Sequence, residues 1–173
     1  MKVILIANVA ANGQVALSGK SNHVAPQEAF SAYFQKAIGA GNIVLGTNTY
    51  QVLSQFPGAK EVLASLKVVV LSRTDKPHAE YTVANTPKQA VDYLHEQGFS
   101  EICVGGGVQV YNAFLTENLV TDLYLDVLPI VIGDGGLLRI NDGDVLTFKL
   151  VEQSAITPDV VQLHFSNIQQ KEL

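Results

Sequence analysis

The sequence predicts one α/β domain with a mixed, mainly parallel sheet and helices on both faces. Short continuous apolar runs, typical of strands buried on both faces, alternate with helical patterns as far as about residue 119. Beyond that point two strand candidates follow each other without a helix, which predicts an antiparallel hairpin. The chain has 173 residues, and we find no linker or repeat, so residues 1–173 are predicted to form a single domain.

The first strand and helix are predicted near the N-terminus. Val3 to Val9 is a continuous apolar run of strand length. Between Ala25 and Ile38 apolar residues recur at helical spacing, with Pro26 near the start and Gly39 just past the end.

The middle of the chain repeats this alternation. Buried strands are predicted at Asn42 to Gly46 and Lys67 to Leu71, and Thr47 is placed to cap the helix that follows the former. That helix carries Tyr50, Leu53 and Phe56. A shorter strand at Glu80 to Val83 precedes a helix with Thr86 as cap, Pro87 at its first position and Gly98 as terminator.

The last predicted elements complete the sheet. Ile102 to Val104 and Val120 to Val127 are strand candidates, with a helix at Val108 to Leu115 between them. The final pair, near 145–151 and 159–165, is joined by a loop that contains Pro158 and should lie at the sheet edge.

Composition narrows the function classes. A formal charge of −5 and a pI near 5.2 argue against nucleic acid or an anionic membrane as a partner. The single cysteine, Cys103, excludes an internal disulfide and a Cys-based zinc site, and no metal site is predicted elsewhere. The N-terminus lacks the pattern of a signal peptide. We therefore expect a cytoplasmic protein that acts on a small molecule.

Three segments follow buried strands and carry groups that suit phosphate. Gly105-Gly106-Gly107 runs directly into a helix, Gly46-Thr47-Asn48-Thr49 opens another, and Ser72-Arg73-Thr74 adds hydroxyls and a guanidinium. Each has a plain alternative: a tight connection, an ordinary helix cap and a solvated loop. Because ligands of open α/β sheets bind beyond the carboxyl ends of the strands, their joint occurrence predicts a nucleotide site. The G-x-G-x-x-G pattern of doubly wound dinucleotide enzymes does not follow the first strand.

The ordered set of these segments resembles the dihydrofolate reductase superfamily. The matching segments are ILIAN (4–8), IVLGTNTY (43–50), VVLSR (69–73) and VGGGVQVY (104–111). The stretches NGQVALSGKS (12–21) and DLYLDVLPIVIG (122–133) are similar to the reductase domain of bifunctional riboflavin-biosynthesis enzymes. The resemblance implies a three-layer α/β/α dihydrofolate reductase-like fold.

The resemblance also implies NADPH as cofactor and assigns its contacts. The pyrophosphate and the adenosine 2′-phosphate would lie against Gly46, Thr47, Asn48, Thr49, Leu71, Ser72 and Arg73. The pyrophosphate and the nicotinamide side would lie against Gly105, Gly106, Gly107, Val108, Gln109 and Val110, with Asn8 and Val15 beside the ring. Gly106-Gly107 is the candidate for the cis peptide bond that the superfamily carries here.

The substrate side departs from the classical pattern. Classical dihydrofolate reductases carry a carboxylate on the first helix, where this chain has Phe30 or Ser31. Asp126 falls where they place a threonine that faces the pterin pocket, so we assign it as the catalytic residue, with a solvent-facing strand position as the alternative. The substrate contacts inferred with it are Ser21, His23, Phe30 and Phe34.

The resemblance thus implies an NADPH-dependent reductase acting on a pterin- or ribosylaminopyrimidine-like substrate. The alternatives are dihydrofolate reductase activity and a non-catalytic, nucleotide-binding descendant of the fold. The H-x-E and P-C-x-x-C motifs of the deaminase half are absent from the sequence, so only a reduction step is expected. Surplus apolar residues in the C-terminal strands, together with the resemblance, suggest a homodimer through the sheet edge.

Overall fold

An eight-stranded sheet forms the centre of the chain. The computed structural model describes residues 1–74, 76 and 78–168. The strands are β1 (Lys2–Ala10), β2 (Asn42–Gly46), β3 (Lys67–Leu71), β4 (Thr82–Ala84), β5 (Glu101–Gly106), β6 (Asp122–Leu128), β7 (Phe148–Thr157) and β8 (Val160–Asn167). The helices are α1 (Gln27–Ala40), α2 (Thr47–Leu53), α3 (Pro57–Ser65), α4 (Pro87–Glu96) and α5 (Val108–Thr116).

The order of the strands is β4-β3-β2-β5-β1-β6-β8-β7. The first six run parallel, β8 pairs antiparallel with β6, and β7 forms the edge through an antiparallel pairing with β8. This confirms the mixed sheet and the C-terminal hairpin. Because β1, β2, β3, β5 and β6 are parallel, their carboxyl ends meet at one edge of the sheet.

Helices cover both faces of the sheet. Leu94 of α4 and Phe114 of α5 pack on one face, against a cluster that includes Leu5. On the other face Tyr33 of α1 and Leu63 of α3 pack in a second cluster. The three-layer arrangement inferred from the sequence is therefore confirmed. In the described part of the chain, no helix has the length and apolar character needed to cross a membrane.

Three local predictions were wrong. Gly39, predicted just past the end of the first helix, lies inside α1, and Gly41 ends that helix with a left-handed φ of 71°. The sequence suggested a single helix that Thr47 would cap, but Gly46 is the N-cap and Thr47 is the first helical residue of α2. A separate helix, α3, begins at Pro57. Proline suits the first position of a helix because its missing N–H would have no partner there, but no helix was predicted from the sequence in this segment.

Other helix signals had their expected effect. Thr86 Oγ1 accepts a hydrogen bond from Gln89 N at 3.2 Å, and Pro87 is the first residue of α4. Gly98, after α4, has a positive φ of 88°.

Candidate functional site

The junctions β2–α2 and β5–α5 lie against each other at the carboxyl edge of the sheet. Leu45 pairs with Gly106, and Gly46 pairs with Leu71 of β3. A Cβ atom on Gly46 would lie 3.2 Å from Val110 Cγ2, and one on Gly107 would lie 3.0 Å from Thr49 Oγ1. A side chain at either position would make a tight contact with the neighbouring helix, and the segments predicted to share a cleft do lie together.

The start of α5 provides main-chain donors. Gly107 is its N-cap, and no side chain caps the helix. The first N–H groups of a helix have no intrahelical acceptor and carry the positive end of its dipole, which favours an anion. The peptide bond between Gly106 and Gly107 is cis, as the resemblance implied.

Ser72 and Arg73 follow β3 beside these junctions. Ser72 N donates to Ala84 O at 2.9 Å, which fixes the chain as it leaves the strand. Thr74 N donates to Ser72 Oγ at 3.3 Å, so the segment makes a local turn. Arg73 is exposed and follows two residues after Leu71, the strand partner of Gly46 at the end of β2. A guanidinium placed there suits a phosphate monoester.

Two buried tyrosines hold the carbonyl of Gly105. The Tyr33 hydroxyl donates to Gly105 O at 2.8 Å. The Tyr111 hydroxyl lies 2.8 Å from Gly105 O and 2.7 Å from Ile6 O, so it can donate its one proton to either. Burial raises the pKa of both hydroxyls well above the ordinary tyrosine value, so they remain donors. These bonds join α1, α5 and the central strands at the glycine turn.

Asp126 and Asn8 place polar atoms in the interior beside this turn. Asp126 is fully buried, and its Oδ1 accepts from Gln162 Nε2 at 2.8 Å. Asp126 Oδ2 and Asn8 Oδ1 are buried without a hydrogen-bond partner. Burial raises the pKa of the Asp126 carboxyl, while the Gln162 bond and the Lys36 charge oppose that shift. An unpaired buried polar atom costs about 1–3 kcal/mol, which proteins often accept at functional sites.

The first helix provides the apolar wall on the same side of the sheet. Phe30 and Phe34 contact edge to face with ring centroids 5.0 Å apart, and both belong to the cluster of residues under α1. Lys36, two residues beyond Phe34, holds its Nζ 3.8 Å from the centre of the Tyr124 ring. Burial is the main cause that lowers the pKa of Lys36.

The loop between β1 and α1 is tied to the loop after β6. Leu17 N donates to His23 Nδ1 at 3.1 Å, so Nε2 carries the proton and donates to Asp134 Oδ1 at 2.9 Å. Lys20 Nζ contacts Asp134 Oδ2 at 2.9 Å. Both ring nitrogens of the buried His23 are therefore engaged within the protein, and a substrate contact through them would require breaking these bonds. Ser21 is exposed on the same loop.

This loop also reaches the start of α5. Val15 N donates to Gly136 O at 2.8 Å, and Gly136 N donates back to Val15 O at 3.0 Å. A Cβ atom on Gly136 would collide with Val108. Val15 thus lies near the start of α5, and its contact with the nicotinamide ring stays a prediction. Gln109, the second residue of α5, is exposed.

Sequence reasoning missed several residues that shape the site. Tyr33 and Tyr111 were interpreted only as apolar positions of their helices, although tyrosine beside three glycines is a usable signal. Gln162 could not be identified, because its contact with Asp126 depends on the register between β6 and β8. Asp134 was interpreted only as a turn residue, and its partner His23 is 111 positions away in sequence.

Solved structures of other proteins share this fold. A pyrimidine reductase-like protein from Corynebacterium diphtheriae matches with a TM-score of 0.73 and 19% identity, over 96% of this chain and 92% of that one. RibD from Acinetobacter baumannii matches with a TM-score of 0.75 and 18% identity, over 97% of this chain and 58% of that one. A dihydrofolate reductase from Enterococcus faecalis, complexed with NADP(H), matches with a TM-score of 0.72 and 14% identity, over 96% of each.

The sequence itself gives a family match. No curated protein matches it significantly. The model of the RibD C-terminal domain matches residues 2–162, nearly the whole chain. The chain therefore belongs to the RibD C-terminal domain family, a family of reductases.

Proposed function

We propose that the protein is an NADPH-dependent reductase that transfers hydride to a pterin- or ribosylaminopyrimidine-like substrate in a riboflavin-type pathway. The observation that carries the proposal is the buried Asp126 carboxyl, with one unpaired oxygen, beside a glycine-lined junction suited to phosphate. A reductase of this type needs both an anion cradle for the cofactor and a polar group facing the substrate.

The residues at the carboxyl edge fit a dinucleotide. Side chains at Gly46 or Gly107 would fill the space between α2 and α5, so glycine leaves the main chain accessible there. Thr47, Asn48 and Thr49 and the start of α5 would hold the pyrophosphate, and Ser72 and Arg73 the 2′-phosphate. When bound, the reduced nicotinamide supplies the hydride.

The chain itself positions the reactants. Tyr33 and Tyr111 fix the Gly105 carbonyl, and Phe30 and Phe34 form an apolar wall on the Asp126 side. Holding donor and acceptor in a water-poor cleft is the main way such a site accelerates hydride transfer. The proton that completes the reduction would come from solvent or from Asp126.

We expect Arg73→Ala to weaken NADPH binding by about 10- to 100-fold, because a charge-assisted contact to a phosphate would be lost. NADH, which has no 2′-phosphate, should bind Arg73→Ala as it binds the wild type. Titration followed by nicotinamide fluorescence measures both. Arg139→Ala is the matched control. If neither cofactor binds the wild type at millimolar concentration, the proposed function is wrong.

A non-catalytic descendant of the fold is the second candidate. The residue Phe30, where classical dihydrofolate reductases have a carboxylate, favours it. Turnover assays with dihydrofolate and with the ribosylaminopyrimidine of riboflavin synthesis separate the candidates. NADPH binding without turnover of either substrate would favour the non-catalytic protein, and turnover of dihydrofolate would assign the dihydrofolate reductase alternative.

We further propose a homodimer through β7. This edge strand is exposed along most of its length, and Leu150 and Val161 remain 47% and 40% exposed. Leu150 pairs with Phe165 of β8, and Val161 lies four residues from Phe165 on the same strand. All three apolar side chains therefore share one face of the hairpin. In a two-fold symmetric dimer, β7 of one protomer would pair with β7 of the other. This pairing would bury the exposed edge of the sheet and the apolar face of the hairpin.

Leu150→Lys should therefore convert the dimer into a monomer, because it places a charge in the apolar contact. Light scattering coupled to size exclusion would show the mass fall by about half. Val131→Lys changes an exposed residue outside the hairpin and should leave the mass unchanged. A wild type that is monomeric at about 100 μM would contradict the proposal.

A further inference from the structure

The two unpaired oxygens of the site belong to residues on neighbouring strands. Among the described side chains, Asn8 Oδ1 and Asp126 Oδ2 are the buried atoms without a hydrogen-bond partner. Asn8 on β1 and Asp126 on β6 are direct register partners. Register partners of adjacent strands face the same side, and the positions two residues earlier, Ile6 and Tyr124, both pack under α1. Both oxygens therefore belong to the α1 side of the sheet.

The neighbouring acceptors of these residues are already bonded. Gln162 Nε2 donates to Asp126 Oδ1, so the remaining carboxylate oxygen presents an acceptor. Ala16 N donates to the main-chain oxygen of Asn8 at 2.8 Å, so the side-chain oxygen is the buried acceptor of that residue without a partner. The site thus offers two acceptors and requires donors from its ligand.

The spacing of the strands fits a single amino group. Adjacent strands lie about 4.8 Å apart. Two hydrogen bonds of about 2.9 Å that diverge at about 120° from one planar nitrogen place their acceptors about 5 Å apart. A planar –NH2 group can satisfy both oxygens, whereas a hydroxyl has one proton and a carbonyl or phosphate has none.

We propose that Asn8 and Asp126 form an amino-group clamp, a pair of acceptors that binds one planar –NH2 group. This inference rests on the proposed function and makes both residues determinants of specificity. The –NH2 group belongs either to the nicotinamide carboxamide or to an aminopyrimidine ring of the substrate. With Asp126 engaged in this way, the proton of the reduction comes from solvent.

The test compares ligands in which –NH2 is replaced by –CH3. In the first arm, calorimetry compares NADPH with its reduced 3-acetylpyridine analogue. In the second arm, ligand-observed NMR compares 5,6-diaminouracil with 5,6-dimethyluracil, with and without NADP⁺. We expect at least about a tenfold preference for the amino ligand in one arm, which identifies the source of the group.

Variants of each acceptor should remove that preference. In Asn8→Leu one acceptor is lost. In Asp126→Asn, Gln162 keeps its bond to Oδ1, so the new amide nitrogen faces the ligand as a donor. We expect the preference to fall to about twofold or less in both variants. Affinity for 2′,5′-ADP, which contacts only the adenosine end, should stay close to wild type. A single cooperative thermal transition should report an intact fold.

Equal binding of amino and methyl ligands by the wild type in both arms would overturn the clamp. So would a preference that both variants retain. Failure of the proposed function gives a different result, because 2′,5′-ADP would then not bind to the protein. The comparison of the two uracils without cofactor would still test the clamp in that case.

Discussion

Gly105→Ala should destabilise the protein by about 2–4 kcal/mol and weaken cofactor binding. A Cβ atom at this position would collide with the Tyr33 hydroxyl and lie 2.7 Å from Ile43 Cδ1, in a fully buried part of the core. Overpacking of this kind costs about 1–3 kcal/mol, and displacing Tyr33 also removes its bond to Gly105 O, worth about 1 kcal/mol. For a chain of this size the melting temperature should fall by roughly 5–15 °C.

Calorimetry and NADPH titration measure the two effects. Gly39→Ala is the matched control, because that glycine lies in α1 with nothing within 4 Å of the added methyl group. It should raise stability by up to about 1 kcal/mol through helix propensity. Adding Tyr33→Phe to Gly105→Ala should recover part of the loss, because the clashing oxygen is removed. Strictly additive losses in the double variant would contradict this account of the glycine.

The sequence was most informative where local rules decide the structure. The continuous apolar runs of β1, β2 and β3 predicted buried parallel strands, and the cap and terminator of α4 were confirmed by Thr86 and Gly98. The cleft at the carboxyl edge could also be anticipated, because parallel topology brings the ends of these strands together.

Contacts between distant segments could not be predicted in this way. The pairing of Asn8 with Asp126 depends on the register of β1 against β6, which no local pattern specifies. The bonds from Tyr33 and Tyr111 to Gly105 depend on how the two helices cross the sheet. The residue pattern of a strand or helix predicts which of its faces is buried, but only the tertiary structure decides which polar atoms meet there.

Asp126→Asn should stabilise the protein at neutral pH while it reduces turnover. Burial raises the pKa of the Asp126 carboxyl in the folded state, so folding disfavours the ionised form. The free-energy cost of folding with an ionised Asp126 is absent below the ordinary carboxyl pKa near 4. It grows as the pH rises from there to the raised pKa of the folded state, and it is constant at higher pH. The uncharged amide avoids the penalty, and we expect a gain of about 1 kcal/mol at pH 7, or about 2–4 °C in melting temperature.

The gain should shrink as the pH falls towards 4, and melting curves recorded across this range measure it. The control variant Asp142→Asn, at an exposed turn, should show little gain in melting temperature at pH 7 or near pH 4. In the same preparations, kcat/KM for the reduction should fall about 10²-fold, because the carboxylate acceptor at the substrate side is replaced by an amide that presents a donor. A buried carboxylate retained only for structure would instead give a less stable variant with unchanged turnover. Higher stability combined with lower activity is therefore the result that identifies Asp126 as a functional residue.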